Sequence, residues 1–241
     1  MRPQQTNYNP NQYSPNSMKL HLFIFILLAS VACTFAQSHR NTGSYNRIGL
    51  QGKILLTAID SDNLDIDGSE GFQGGFTTRG RLYNNWGIVY GIDFISANVS
   101  VQGAGASQAI DNQIDYNFIG AQLNFLVSYN IIGQNLALDF GPALLVNGKM
   151  NLKDDGQADT RIAGFSSLTG NDLEEISKIN PFAVIGLTGG FENVRLMVQY
   201  QYGVTNILNG LNKQDLELID SEARDFKGTA SFISAGVVFY L

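Results

Sequence analysis

Alternation with a period of two, held over segments of about 11–16 residues, restricts this chain more than any other feature. Over 193–205, Val194, Leu196, Val198, Tyr200, Tyr202 and Val204 share one face, and Arg195, Met197, Gln199, Gln201, Gly203 and Thr205 share the other. Only an extended strand turns successive side chains to opposite faces. Trp86, Ile88, Tyr90, Ile92 and Phe94 alternate in the same way with Gly87, Val89, Gly91 and Asp93. Ala121, Leu123, Phe125, Val127 and Tyr129 do so with Gly120, Gln122, Asn124 and Ser128. Less regular copies run over about 46–58, 70–82, 134–147, 180–191 and 228–241. In the first of these Ile48, Leu50, Ile54 and Leu56 share a face, and in the third Leu136, Leu138, Phe140, Leu144 and Val146 do. The pattern predicts eight strands. Their length suits a membrane crossing, which takes about 9–11 residues, better than a globular strand of about 5–6.

The connections fall into two classes that alternate strictly. Tight ones sit at Tyr83-Asn84-Asn85, around 130–133 and at Glu192-Asn193; long ones cover about 59–69, 102–113, 148–179 and 206–227. In a closed up-and-down barrel that order gathers every long loop at one end and every tight turn, with both termini, at the other. One strand face holds large aliphatics and aromatics, the other Gly, Gln, Asn, Thr, Ser and scattered charge. The expected fold is therefore all-β, a closed antiparallel up-and-down transmembrane barrel of about eight strands with an apolar exterior and a packed polar interior. The alternative is a soluble lipocalin-like barrel with the faces reversed, whose pocket these glycines would fill poorly.

One segment is strongly apolar. Residues 20–36, after Met18-Lys19, combine a short basic start, a hydrophobic run of about 13 residues and small residues near Thr34-Phe35-Ala36. The run is short for a spanning helix, which needs about 20 apolar residues. It reads as a secretory signal peptide cleaved after Ala36, within an N-terminal extension 1–36. A flexible stretch 37–45 and a barrel domain 46–241 follow. The polar Asn/Gln/Pro-rich residues before Met18 suggest Met18 as an alternative start to Met1. A lipoprotein anchored at Cys33 is a rival reading, but Ser30-Val31-Ala32 lacks the leucine such a site carries three residues before its cysteine.

Removal of that segment takes Cys33 and His21 with it and leaves His39 in the new N-terminus. The mature chain then has no disulfide, thiolate nucleophile or Cys-ligated metal open to it, and no cofactor is expected. It carries 13 basic against 21 acidic residues, net −8, an unfavourable balance for nucleic acid. Outer-membrane proteases and acyltransferases use His with Asp or Ser near the loop-side rim, and no histidine lies in the predicted barrel. The chain is expected not to be an enzyme.

The last eight residues, Ser234-Ala235-Gly236-Val237-Val238-Phe239-Tyr240-Leu241, end the chain on an aromatic strand with no tail. Ser234, Gly236, Phe239 and Leu241 resemble the C-terminal signal read by the barrel assembly machinery. From about residue 45 onward the chain resembles the small Gram-negative outer-membrane barrels grouped around PorT-like and OmpA/OmpX-like proteins. The resemblance rests on strand count, loop asymmetry and this ending. It implies fold, export to the outer membrane and contact with outer-membrane lipid, and says little of function.

Charges assigned to the polar face are Lys53, Arg79, Arg81, Asp93, Asp139 and Arg195. In an eight-stranded barrel the lumen is just wide enough for side chains to fill, so opposite charges should pair there and plug it. A narrow pore is the other reading of the same residues. In the first long loop, Asn63, Asp65, Asp67 and Gly68 match the opening of a Ca²⁺ loop, but Gly74 occupies the twelfth position, where a bidentate Glu is required, leaving Glu70 as a substitute. A solvated acidic loop is the simpler reading, with no metal. The two largest loops hold helix-like stretches, one capped at Asn171 with Glu174 three residues on, the other over 213–222. Loops of this length are often functional, and here they offer a surface for a protein or glycan. The expected role is structural or surface-binding; the alternative is a narrow pore or a component of a transport or secretion assembly.

Overall fold

The structure, a computed structural model, describes residues 47–104 and 113–241. The signal-like segment with its Ala36 boundary, Met18, Cys33 and the stretch 37–45 lie outside the described residues. Eight long strands form the wall: β1 (Arg47–Ser61), β2 (Glu70–Arg81), β3 (Trp86–Gln102), β4 (Gln113–Ile132), β5 (Leu136–Asn147), β6 (Ile179–Gly190), β7 (Val194–Asn206) and β8 (Gly228–Tyr240). Each pairs antiparallel with its neighbours in sequence, and β1 closes the ring on β8, with Leu50 opposite Phe239 and Leu56 opposite Ile233. Short strands at Ile66–Gly68 and Asn151–Leu152 extend the ladder beside β3 and β4. The tight turns at 82–85, 133–135 and 191–193 lie at one end, here the turn side. Gly133, at φ 51°, takes the left-handed conformation that turns β4 into β5.

Outward side chains form an apolar belt. Its loop-side rim is Leu56, Phe72, Phe94, Ile119, Val146, Ile179, Val204 and Ile233, all exposed, one from each strand. Towards the turn side it reaches Ile48, Trp86, Tyr129, Val194 and Phe239. Trp86 packs on Tyr129 with ring centroids 4.9 Å apart and on Phe140 at 6.4 Å, an aromatic cluster where a barrel wall meets the membrane interface. Spans of about 8–10 residues, at about 3.3 Å each and a tilt of about 40°, make the belt about 20–25 Å tall, close to the apolar band of about 25 Å on membrane-spanning barrels. Among the described residues no helix is long and apolar enough to cross a membrane. The strands cross it.

Beyond the rim, the polarity of the strands inverts. In β4, Gln122, Asn124 and Ser128 point inward below the rim, but Ile114, Tyr116 and Phe118 are the buried inward residues above it. In β3, Ile95, Ala97, Val99 and Val101 take the inward positions past Phe94. These residues join Leu55, Ile59, Phe182 and Phe232 in one hydrophobic core with Leu168, Leu173, Ile176, Leu208, Leu211 and Phe226 from the two largest loops. The expectation of a polar interior throughout is thus corrected: the turn-side part is polar and the loop-side part apolar. The cause is environment. Above the belt the wall faces water on its outside, so apolar side chains are stabilised only inside.

Glycines make room for the interior charges. Across the ladder Lys53 faces Gly236, Asp93 faces Gly75, Asp139 faces Gly186 and Arg195 faces Gly190. A Cβ on Gly75 would fall 2.0 Å from the Ile92 carbonyl oxygen, and one on Gly236 would fall 2.1 Å from that of Gly52. Substituting alanine at either position should cost about 1–3 kcal/mol or more, the usual penalty of overpacking, read as a lower urea midpoint for unfolding from lipid vesicles. An unchanged midpoint for Gly75→Ala and Gly236→Ala would contradict this packing.

Candidate functional site

The polar part of the interior is built in two layers. In the first, the Asp93 carboxylate accepts from four side chains: Gln51 Nε2 at 2.7 Å, Asn124 Nδ2 at 2.8 Å, Lys53 Nζ at 3.0 Å and Gln73 Nε2 at 3.1 Å. Lys53 and Asp93 expose only 2% and 0% of their side chains. Lys53 also donates to Gln199 Oε1 at 3.3 Å, and Gln122 donates to Gln201 Oε1 at 2.9 Å. Period two places all these residues inside, because each occupies an inward-facing position of its own strand. A carboxylate in so dry a place is tolerable only when paired and hydrogen-bonded, and this one is saturated with donors.

The second layer lies nearer the turns. The Arg79 guanidinium donates to Asp139 at 2.7 Å, to Ser128 Oγ at 2.5 Å and to the Tyr240 hydroxyl at 3.3 Å, while Thr188 donates to the same Asp139 oxygen. Buried Arg195 stands beside it, 3.5 Å from the Thr188 carbonyl. The sequence parity that selects Lys53, Arg79, Asp93, Asp139 and Arg195 also selects Arg81, and there the structure differs. Arg81 is exposed at the last position of β2. It faces Gly87 and lines a bowl of about 220 Å³ on the turn side, with Asn84, Asn85, Asn130 and Gln134. Parity sets the face of a residue, but only neighbouring strands bury it, and past β2 the wall ends.

On the loop side, residues 148–178 and 207–227 fold into an ordered head above the belt. It is fastened by Asp220, a buried carboxylate that accepts from the backbone N–H groups of Ser166 at 2.6 Å, Ser167 at 2.8 Å and Glu222 at 3.1 Å. The N–H donors of Ser167 and Glu222 hold this carboxyl below its ordinary range. Asp220 thereby ties the two loops together. Loop sequence carries no periodicity, and nothing in it singled out this residue. Tyr116 supports the head from below, donating to the Gly170 carbonyl at 2.7 Å. Burial, with the Glu174 and Asp172 charges, pushes its phenol above the ordinary value and keeps it a donor.

The helix-like stretches are shorter than expected. The first is one 3₁₀ turn, Gly170–Leu173, whose Asp172 carboxylate accepts from the Thr169 N–H at 2.9 Å and hydroxyl at 2.8 Å. Glu174, expected as the box residue of an Asn171 cap, instead pairs with Lys149. The second is a pair of 3₁₀ turns, Ile207–Lys213 and Leu216–Leu218.

Asn63, Asp65, Asp67 and Glu70 do not converge. Ile66–Gly68 is extended and paired with β3, so these side chains spread along a ladder in place of wrapping a centre. Asp67 accepts from Gln113 at 2.7 Å, and Asn63 accepts from the Lys227 N–H at 3.2 Å. Among the described residues no group of three His, Cys, Asp or Glu is placed to hold a metal. In the C-terminal ending, Ser234 is buried and Gly236 sits against Gly52 and Lys53, whereas Phe239 and Leu241 are exposed.

No family model and no curated protein matches the chain. Among solved structures it is similar to Neisserial surface protein A (15% identity, 80% of this chain and 96% of that one, TM-score 0.43). It is also similar to Ail, the attachment invasion locus protein of Yersinia pestis (14%, 81% and 99%, TM-score 0.44), and to the outer membrane protein OprG from Pseudomonas aeruginosa (12%, 82% and 96%, TM-score 0.45).

Two predictions follow from these contacts. Lys53→Met should destabilise the barrel by about 3–5 kcal/mol by stranding a buried carboxylate. Adding Asp93→Asn should recover part of that loss in urea titrations, and simply additive costs would contradict the pairing. At Asp220 the folded carboxyl titrates below the unfolded one, so its contribution is full above the ordinary carboxylate value and disappears as pH falls through the lowered one. Asp220→Ala should speed amide exchange at Ser166 and Ser167 by roughly tenfold at neutral pH. The difference from wild type should begin to shrink as pH falls below about 4 and vanish once pH passes the lowered value; a difference that persists undiminished in acid would contradict it.

Proposed function

We propose that the chain is an outer-membrane barrel protein of a Gram-negative envelope, a non-conducting and non-catalytic support that presents its head on the outer surface. One observation carries the reading. The interior is crossed in succession by the Arg79–Asp139 layer, the Lys53–Asp93 layer and the apolar core that the two large loops complete. Water and ions entering from the turn side would have to displace buried ion pairs and then pass through packed Phe182 and Phe232, stacked 4.9 Å apart. The location is supported by the belt and the signal-like segment 18–36. The non-catalytic role is supported by residue chemistry, since 47–241 contains neither histidine nor cysteine.

The head's surface is the part left to meet a protein or glycan. It is ordered by the hydrophobic core it shares with the strands, so a partner would meet a preformed surface and little ordering cost would oppose binding. The reading expects planar lipid bilayers holding the refolded chain to show no steady conductance. Stable openings on the order of a nanosiemens, as a water-filled channel gives, would favour the pore reading instead.

A further inference from the structure

A groove of about 740 Å³ opens on the outside of the barrel where the belt gives way to the head. Its floor is locked backbone to backbone: the Ser177 N–H donates to the Ile207 carbonyl at 2.7 Å, and the Ser177 hydroxyl donates to that of Asn206 at 3.1 Å. A Cβ on Gly210 would fall 2.5 Å from the Glu175 carbonyl oxygen, so the two loops meet there without a gap. The lining carries Lys178, Lys213 and Glu175, a local charge of +1. Lys178 lies 3.9 Å from Glu175, and Lys213 forms no salt bridge among the described residues. This excess stands against its surroundings, since 148–178 holds six acids against four bases and 207–227 five against three.

Position narrows the ligand. Ile179, first residue of β6, forms the lower lip, and Val204 of β7 lies one residue before the lining Thr205; both belong to the rim of the lipid-facing belt. A ligand that fills the groove therefore meets cations at its head and hydrocarbon-facing side chains at its foot, at the depth where lipid headgroups lie. We infer that this groove seats the phosphate of a lipid headgroup from the loop-side leaflet, held by Lys178 and Lys213, with its acyl chains against Ile179 and Val204. The inference rests on the outer-membrane reading and names a ligand for it. A lysine near such a surface is worth about fivefold in affinity for anionic lipid.

The test uses the full mature chain in phosphatidylcholine nanodiscs doped with lipid A or with lipid A stripped of its phosphates. Lipid retained after extraction into detergent is counted by native mass spectrometry, and each sample is checked for the heat-dependent gel shift of a folded barrel. Wild type should retain phosphorylated lipid A over the stripped form, Lys178→Ala/Lys213→Ala should lose at least about tenfold, and Lys178→Arg/Lys213→Arg should keep it. Equal retention of both lipids, or no loss in the alanine variant, would overturn the assignment while a normal gel shift left the barrel reading standing. Complete competition by millimolar inorganic phosphate would also overturn it, since the groove would then be a soluble-anion site. A wild-type chain that shows no gel shift would fail both readings together.

Discussion

Inside a bilayer no water is present to satisfy a backbone N–H or C=O, and each one left unpaired costs several kcal/mol. A sheet can cross only if it has no edge. Everything else in this protein follows from the seam where β1 meets β8, which pairs Gly49 through Ser61 with Tyr240 through Gly228 without interruption. The seam brings the two ends of the barrel domain together and places the last aromatic strand in the lipid-facing wall. It also sets the ring at eight strands, and thereby the width of the lumen.

A lumen that narrow forces the side chains it holds to satisfy one another. Lys53, Asp93, Arg79 and Asp139 are therefore bonded to amides, hydroxyls and each other, and each of these partners is an inward residue of its own strand. The glycines opposite Lys53, Asp93 and Asp139 provide volume where a Cβ would strike backbone or a charged chain. Above the rim the same wall encloses an ordinary apolar core, because water returns to its outside. One set of strands thus serves two solvents, and the head is stabilised by the strands that also hold it above the membrane.

The wall was legible in the sequence because period two is a direct imprint of a two-faced strand. Val194 through Val204, or Ile48 through Leu56, could take no other consistent arrangement, and the alternation of short and long connections ordered the strands. Five of the six charges assigned inward by parity are buried; Arg81 is not, since parity carries no information about where a neighbouring strand stops. The inversion was harder to see. Ile95 to Val101 and Ile114 to Phe118 keep the period of their strands and merely exchange which face is apolar, and that exchange has meaning only once the height of the membrane is known. Asp220 and the Lys178–Lys213 groove were not legible, because both depend on how two irregular loops meet.

The two-solvent wall is the central claim, and spin-label accessibility along β1 tests it most directly. Single cysteines are introduced from 48 to 60 in the chain from Gln37 onward, labelled and reconstituted in lipid vesicles. Labels at 50, 54 and 56 should be reached by oxygen dissolved in the bilayer, labels at 58 and 60 by a water-soluble nickel complex, and labels at 55 and 59 by neither. If 58 and 60 remain in lipid while 55 and 59 are reached from water, the strand keeps one polarity to its end and the account is wrong.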